Sequence, residues 1–551
     1  MDRKKLANLL FPRIKDTPDD LEARYPKRNL PDGAMVTRLG PSPTGFIHLG
    51  NLYSALADER LAHRSGGVCF LRIEDTDDKR EVEGAVPALL SALHYFGIDF
   101  DEGVGASGET GAYGPYYQSA RKDIYQCYVK HLVAQGKAYP CFMSEEEIVD
   151  IRASQEQNKE NPGIYGTYAK HRDLSFDDIV SRIGEGEEFV IRFRSAGDDQ
   201  RYFTVTDAIR GELSMPENVQ DVVILKKTGL PTYHFAHVVD DHLMRTTHVV
   251  RGEEWMASLP IHVQLFEALG WELPVYCHNT VLMKIDEESG QKRKLSKRRD
   301  PELSLEYYQK EGYVPEAVRE YLMTILNSDY EEWRTANPDE PLESFDFSAE
   351  KMGSSGTLFD LDKLNDVSKN VLARMTAGDI LSFMLQWAAE YQPALCSLLT
   401  ANEDKLVRIF DIDRDGPKPR KDLVYGRQIF EFISYFFDDH FMIRDDFPAE
   451  CSPKDCKEIL RRYLAGYDPG DDNSAWFGKI RTLADELGYA VKPKDHKKNP
   501  ELYKGHVGHV SNVIRIALTG RSASPDLWTI QQIMGADAVK RRIAEAHGLF
   551  D

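Results

Sequence analysis

Two short stretches of this chain carry residue types suited to handling phosphate. The first runs from Arg38 to Asn51 and reads Arg-Leu-Gly-Pro-Ser-Pro-Thr-Gly-Phe-Ile-His-Leu-Gly-Asn. A glycine-rich turn opening onto a helix presents free backbone N–H groups and the positive end of the helix dipole, which together attract an anion. The spacing and the missing lysine exclude a P-loop. His48 stands where the helix begins, as a simple cap or as a donor to a phosphate oxygen; taken alone, such a residue is more often a cap. The second stretch, Lys292-Arg293-Lys294-Leu295-Ser296-Lys297-Arg298-Arg299, holds six cations in eight residues. Such a run is usually solvated loop, yet it is also what a triphosphate needs. A third constellation, His237-Val238-Val239-Asp240-Asp241-His242, has metal-ligand residue types. Read as a strand, its period of two separates their faces, so a structural role outweighs a metal site.

The elements that must position these residues follow from patterning. Met35–Arg38 reads as a short strand, and a helix runs from about Leu49 to His63, stopped by Ser65-Gly66-Gly67. Val68–Ile73 is a continuous apolar run of the kind buried on both faces in a parallel sheet. Val86, Leu89, Leu90 and Leu93 repeat at helical spacing, with Gly97 as the stop. Strand, helix, strand, helix marks a doubly wound α/β sheet. Residues 121–207 mix helix with strand pieces such as Phe189–Phe193 and read as an insertion. Apolar strand character returns at Val222–Leu225, Phe235–Val239 and His248–Val250. Beyond about 300 helices dominate, among them Val314–Leu326, Ala377–Ala389, Asp455–Leu464 and Asp537–Ala546. Ile412–Asp422 and Val491–Asn499 read as polar loops with basic ends. Ser144 is a good N-cap, and Glu145-Glu146-Glu147 reads as the solvated first turn of its helix.

The chain has 551 residues, 42% hydrophobic and 29% charged, an ordinary globular composition that as a soft prior suggests about three to four domains. Its apolar runs are too short for a membrane helix, and no secretory signal is expected. Seven cysteines, with only Cys451 and Cys456 close together, read as reduced thiols in the cytoplasm. Lys plus Arg number 69 against 90 Asp plus Glu, a net charge of −21. That balance argues against a bulk nucleic-acid coat protein but allows one basic face on an acidic body.

His48-Leu49-Gly50-Asn51 resembles the His-Ile-Gly-His motif of class I aminoacyl-tRNA synthetases, and Lys294-Leu295-Ser296-Lys297-Arg298 resembles their Lys-Met-Ser-Lys-Ser loop. The flanks narrow the resemblance to the glutamyl type: Pro41-Ser42-Pro43-Thr44-Gly45, Leu71-Arg72-Ile73-Glu74-Asp75-Thr76-Asp77, Gly114-Pro115-Tyr116-Tyr117-Gln118-Ser119, Pro231-Thr232-Tyr233-His234-Phe235-Ala236, Val238-Val239-Asp240-Asp241-His242 and Val250-Arg251-Gly252-Glu253-Glu254-Trp255. The all-helical tail fits its bacterial form. The resemblance covers about residue 34 to the C-terminus and is strongest to about 310. It implies a Rossmann-like α/β catalytic domain with an inserted α+β module, a mostly helical stem-contact domain and an all-α anticodon-binding region. The limits expected are 1–33 for an N-terminal extension, 34–120 and 208–299 for the two catalytic halves, and 121–207 for an acceptor-end module. Residues 300–375 form the stem-contact domain, and 376–445 and 446–551 two helical anticodon-binding subdomains.

The resemblance further implies a glutamate–tRNA ligase using Mg-ATP, L-glutamate and tRNA(Glu), working in the cytoplasm as a monomer. His48, Lys294 and Lys297 are implied as catalytic. Thr44, His48, Gly50, Asn51, Glu254, Lys294, Leu295, Ser296, Lys297 and Arg298 match the ATP-binding positions. Arg38, Ser42, Glu74, Tyr233, His237 and Arg251 match the glutamate pocket, with Arg80 as a further candidate. Lys418, Arg420 and Lys421, and the lysines of 492–498, are candidate tRNA-backbone contacts.

The chain departs from the family pattern in places. Asn51 replaces the last His of the general motif, and His237 stands where many relatives have Asn. Cys141-Phe142-Met143 lacks the second cysteine of the pair that holds zinc in some relatives, so no zinc is expected. Glutaminyl-tRNA synthetase is the main rival, but those enzymes typically show Pro-Glu-Pro-Asn-Gly at the turn. A small-molecule nucleotidyltransferase would not need the long tail. A catalytically silent tRNA-binding paralogue would have lost His48, Lys294 or Lys297.

Overall fold

Strand β1 (Val36–Leu39) is buried along its whole length, and the glycine turn leaves its C-terminal end. The computed structural model to which it belongs describes residues 2–43, 45–77, 82–414, 416 and 419–550. The chain divides into two compact units, residues 1–307 with 319–360 and residues 308–318 with 361–551.

In the first unit, helices α1 (Arg3–Leu10) and α2 (Pro18–Arg24) precede β1. After the turn comes α3 (Leu49–Arg64), which buries Leu52, Leu56 and Leu61 against the sheet. Each such side chain contributes about 1.5–3 kcal/mol. β2 (Val68–Leu71) pairs parallel with β1, and after α4 (Ala85–Tyr95) β3 (Glu102–Gly105) pairs parallel with β2. β4 (Gly108–Thr110) closes that edge antiparallel.

Helix α5 (Lys122–Gln135) leads to β5 (Ala138–Cys141), α6 (Glu145–Asn158), α7 (Phe176–Gly184) and β6 (Val190–Phe193). Ser144 and Glu147 form a capping box on α6, as its sequence suggests. The hairpin β7 (Tyr202–Asp207) and β8 (Gly211–Pro216) follows, then β9 (Val223–Leu225). β5, β6 and β9 make a small antiparallel sheet. Helix α8 (Tyr233–Leu243), β10 (His248–Gly252), α9 (Leu259–Leu269) and β11 (Val275–Asn279) return to the parallel layer.

The Thr247 backbone N–H donates to Val36 O at 2.9 Å, which sets β10 beside β1. From β1 the chain winds one way through β2 and β3, and from β10 the other way through β11. Their junction is a topological switch point, where open α/β sheets bind ligands beyond the strand C-termini. β12 (Leu282–Ile285) and β13 (Lys292–Lys294) then form a hairpin, with β14 (Thr357–Leu358) parallel to β12.

Two elements differ from the sequence expectation. Phe235–Val239 is helical, part of α8, because its apolar residues are buried on every side and give no alternating pattern. Val491–Asn499 contains a short helix, Pro493–Lys498, begun by a proline in its first turn.

The second unit is helical, including Leu361–Arg374, Ala377–Tyr391, Pro453–Gly466, Asn473–Glu486, Val507–Thr519 and Ala536–Gly548. Trp387, Met384 and Phe410 centre one core, and Trp476, Ile514 and Ile543 another. Cys451 and Cys456 are buried free thiols of the latter. Among the described residues no helix is long and apolar enough to cross a membrane.

Candidate active site

A cavity of about 780 Å³ opens beyond the C-terminal ends of β1 and β10. Its lining joins the glycine turn, the start of α3, Glu74, Tyr233, Arg251, Glu254 and the beginning of the basic loop. Segments more than 200 residues apart in sequence thus meet around one space.

At one end sit the two arginines. Arg38 projects from β1, 4% exposed, with Nε 3.3 Å from the Asp241 carboxylate and Nη1 donating to Val250 O at 3.3 Å. Burial works against its charge, but Asp241, Asp58 and Glu74 together outweigh it and its pKa is raised. Asp241 also accepts from Arg72 Nη1 at 2.6 Å. Burial opposes ionisation of Asp241 too, yet Arg38, Arg72 and His237 hold its carboxyl well below the usual range. Arg72 donates its other arm to Glu74 Oε1 at 3.0 Å. Burial raises the Glu74 pKa against the pull of Arg72 and Arg38. A side chain at Gly40 would place Cβ 2.6 Å from Glu74 Oε1, so glycine is what lets Glu74 reach the end of β1. Asp240, next on α8, accepts from Gln118, Arg121 and Tyr125 at 2.6–2.9 Å. The result is a buried ionic lattice behind the cavity wall.

Arg251, on β10, is 6% exposed and donates to His278 and His262. The Tyr233 ring packs 4.3 Å from that of Trp255, and both line the cavity. Ser42 lines it as well. His237 is fully buried and is not among the lining residues. Its Nδ1 lies 2.8 Å from Asp241 at ion-pair distance but outside hydrogen-bond geometry, its Nε2 lies 3.3 Å from Tyr276 Oη, and its ring lies parallel to Tyr233. Burial pushes its pKa down to about 3. The helical period, not the strand period, sets what His237 meets: i and i+4 share a face.

At the other end His48 is the residue before α3, and Asn51 Oδ1 accepts its backbone N–H at 3.0 Å. Its Nδ1 is buried without a partner, and burial lowers its pKa against the opposing field of Glu254. A Cβ on Gly50 would fall 2.9 Å from that nitrogen, so the motif glycine clears room for the imidazole. The basic run divides in two. Arg293 is tied to Asp300 at 2.6 and 2.8 Å and to Asp286 at 3.0 Å, and Arg299 to Asp286 at 2.8 Å. Ser296 N–H is held by Asp300 at 2.8 Å. Lys294, Lys297 and Arg298 are exposed and, among the described residues, meet no carboxylate. Lys294 and Leu295 line the cavity, while the Lys297 ammonium lies 4.1 Å over the ring of Phe46, itself a lining residue.

Thr44, Arg80 and Lys418 lie outside the described residues. Arg420 is turned inward, its guanidinium bidentate to Asp422 at 2.7 and 3.0 Å. Lys421 is exposed and reaches Asn370 at 2.8 Å. Cys141 and Met143 are buried in an apolar cluster with Ile151 and Ile164. Sequence reasoning places Asp241 only in a constellation of metal-ligand types and Arg72 only in a motif flank, and it does not find His262, His278 or Asp207. Each of the last three is one polar residue outside any motif, and only their convergence marks them.

Residues 34–366 match the catalytic domain of the class I tRNA synthetases (E and Q), and residues 504–547 match an anticodon binding domain. A glutamate–tRNA ligase of Acetivibrio thermocellus is 60% identical over 98% of this chain and 99% of that protein. One from Clostridium perfringens is 50% identical over 98% of this chain and the whole of its own. The crystal structure of a glutamate tRNA ligase from Elizabethkingia meningosepticum, in complex with its amino acid, superposes with a TM-score of 0.73 at 27% identity, covering 94% of this chain and all of that one. With a cavity at the switch point and matches of this extent, the chain belongs to the class I tRNA synthetases of the glutamate and glutamine type.

Proposed function

We propose that this chain is a glutamate–tRNA ligase, which activates L-glutamate with ATP as glutamyl-adenylate and transfers it to the 3′ end of tRNA(Glu). One observation carries the reading. A single cavity joins two buried arginines and the Glu74 carboxylate to a glycine-rich helix start and a loop whose lysines, among the described residues, meet no carboxylate.

Glutamate is a dianion bearing one ammonium group. Arg38 and Arg251, helped by Tyr233, take its carboxylates, and Ser42 and Glu74 take the ammonium. The α-carboxylate attacks the α-phosphate of Mg-ATP and pyrophosphate leaves. A terminal ribose hydroxyl then attacks the adenylate carbonyl and AMP leaves. The first nucleophile is already an anion, so positioning and cations on the developing charge do most of the work. His48, Lys294 and Lys297 supply that stabilisation, with a neutral His48 donating a hydrogen bond. Thr44, Gly50, Asn51, Glu254, Leu295, Ser296 and Arg298 complete the nucleotide contacts. His237 acts from behind the wall, steadying Tyr233 and Asp241, rather than by touching glutamate. Mg2+ enters with ATP as part of the substrate.

The helical residues 376–551 read the anticodon, 300–375 meet the stem and 121–207 hold the acceptor end. The anticodon-domain match at 504–547 supports the first of these. Lys421 and the lysines of 492–498 are the cations proposed for the tRNA backbone, since Arg420 is already compensated by Asp422. The inserted module folds without zinc, in line with Cys141 and Met143 serving as apolar core. The seven free cysteines fit the cytoplasm as the place of work.

The test is aminoacylation of purified tRNA(Glu) and tRNA(Gln) with each of the two amino acids. Glutamate should be favoured by about 30-fold or more in kcat/KM, because glutamine turns an NH₂ donor toward a guanidinium that has only donors. Equal values would overturn the proposal.

A further inference from the structure

Arg38 and Arg251 both line the cavity, and Arg38 has a protein counter-charge in Asp241. Among the described residues no carboxylate lies within ion-pair distance of Arg251. Two imidazoles hold it instead. Its Nε donates to His278 Nε2 at 3.0 Å, and its Nη1 to His262 Nδ1 at 3.1 Å. The Tyr276 ring lies 4.6 Å from the guanidinium carbon. Nη2 is buried without a partner.

A guanidinium has donors only, so both nitrogens that meet it must be unprotonated. The far side of each ring allows this. His278 Nδ1 lies 2.7 Å from Asp207 Oδ2, to which it donates, and the His278 backbone N–H donates to the same oxygen at 3.1 Å. His262 Nε2 lies 3.0 Å from His234 Nδ1 and donates there. Both tautomers are thus set by neighbours, and burial lowers the pKa of His262 and of His278. A carboxylate in either place would accept the same hydrogen bond but would also neutralise Arg251.

We infer that His262 and His278 are positioning residues that determine specificity: they fix Arg251 as neutral acceptors, leaving its charge to be compensated only by a carboxylate of the substrate. The inference rests on the proposed role of Arg251 in binding glutamate. It explains discrimination against glutamine by an unmet charge, a buried cation left unpaired being costly.

Matched pairs of variants test it. The amide oxygen of Asn can replace Nδ1 at 262, and that of Gln can replace Nε2 at 278; Asp and Glu have the same shapes but carry charge. In the full-length enzyme with tRNA and ATP, His262→Asn and His278→Gln should keep the glutamate KM within a few-fold, about the loss of one ordinary hydrogen bond at most. His262→Asp and His278→Glu should raise it about 30-fold or more and lower the glutamate-to-glutamine ratio of kcat/KM by a similar factor, with the ATP KM unchanged. Equal behaviour of neutral and charged variants would reduce both histidines to packing and overturn the inference. Arg251→Ala is the control that separates the two layers. An unchanged glutamate KM there removes the role of Arg251 and this inference with it. A raised KM there, with no difference within the pairs, removes the inference alone. Should the acidic variants not fold, nitrogen NMR of the wild-type imidazoles decides: neutral rings protonated at Nδ1 of His278 and Nε2 of His262 support the inference, and an imidazolium at either overturns it.

Discussion

The two ends of the cavity solve charge problems in opposite ways. At the amino-acid end the charged groups are buried and mutually arranged: Arg38 and Arg72 on Asp241, Glu74 on Arg72, Arg121 on Asp240. At the phosphate end Lys294, Lys297 and Arg298 are exposed and, among the described residues, meet no carboxylate, while their scaffold, Arg293 with Asp286 and Asp300, is locked. The difference follows from the ligands proposed for each end. Choosing one small dianion over its amide requires donors held in a dry, fixed geometry, because water would otherwise satisfy either ligand. Stabilising charge that migrates along a triphosphate requires cations on long stems that can follow it, and a lysine is a rotatable point charge.

The largest expected effect is at the buried end. Asp241→Asn removes the negative charge shared by Arg38 and Arg72, and stranding buried charge costs about 3–5 kcal/mol. A denaturant melt should show that loss; a change below about 1 kcal/mol would mean that the lattice is not what holds this wall. Next comes Lys297→Ala, which should lower kcat about 10²-fold, leaving the melting temperature and the glutamate KM near wild type. A fall in stability comparable to that of Asp241→Asn would erase the contrast.

Acid should separate the ends further. His234 has its pKa pushed down by burial to about 4, and burial lowers those of His262 and His278. Between the folded pKa and the ordinary imidazole value the unfolded chain binds more protons than the folded one. Stability is therefore fully present above about pH 7 and falls as pH drops through 6.5 toward 4, by at most about 1.4 kcal/mol per pH unit for each such group. His234→Asn should flatten that slope by one group's share, as read from melts at pH 7.5 and 5.5. The smallest effect is that of salt. From 50 to 200 mM, screening should raise the ATP KM several-fold and the glutamate KM less than twofold, since exposed charges are screened more than buried ones. Equal shifts would place both sites in the same dielectric environment.

Much of this was legible in the residues alone. β1, α3 and β2 lie within a residue or two of where their patterns put them, because long apolar periodicity and glycine stops are local signals. The strand character expected at Phe235–Val239 gives way to helix because Phe235-Ala-His-Val-Val suits either period when a segment is buried all round; the first turn after Thr232 settles it as helix. The lysines around Pro493 give a loop-like pattern that hides a helix start.

The sequence by itself determined the phosphate end: the turn, the helix start and the basic loop are contiguous motifs, each with its chemistry in neighbouring residues. Only the tertiary structure decided which cations of the basic loop are bound to Asp286 and Asp300 and which stand exposed, and that His237 stands behind the pocket. It alone showed that Arg38 has a counter-charge where Arg251 has two histidines. Asp207, Asp241, His262 and His278 act on residues 11 to 203 positions away or on one another's partners. Hydrogen bonding and desolvation depend on distance in space, which spacing along the chain does not encode.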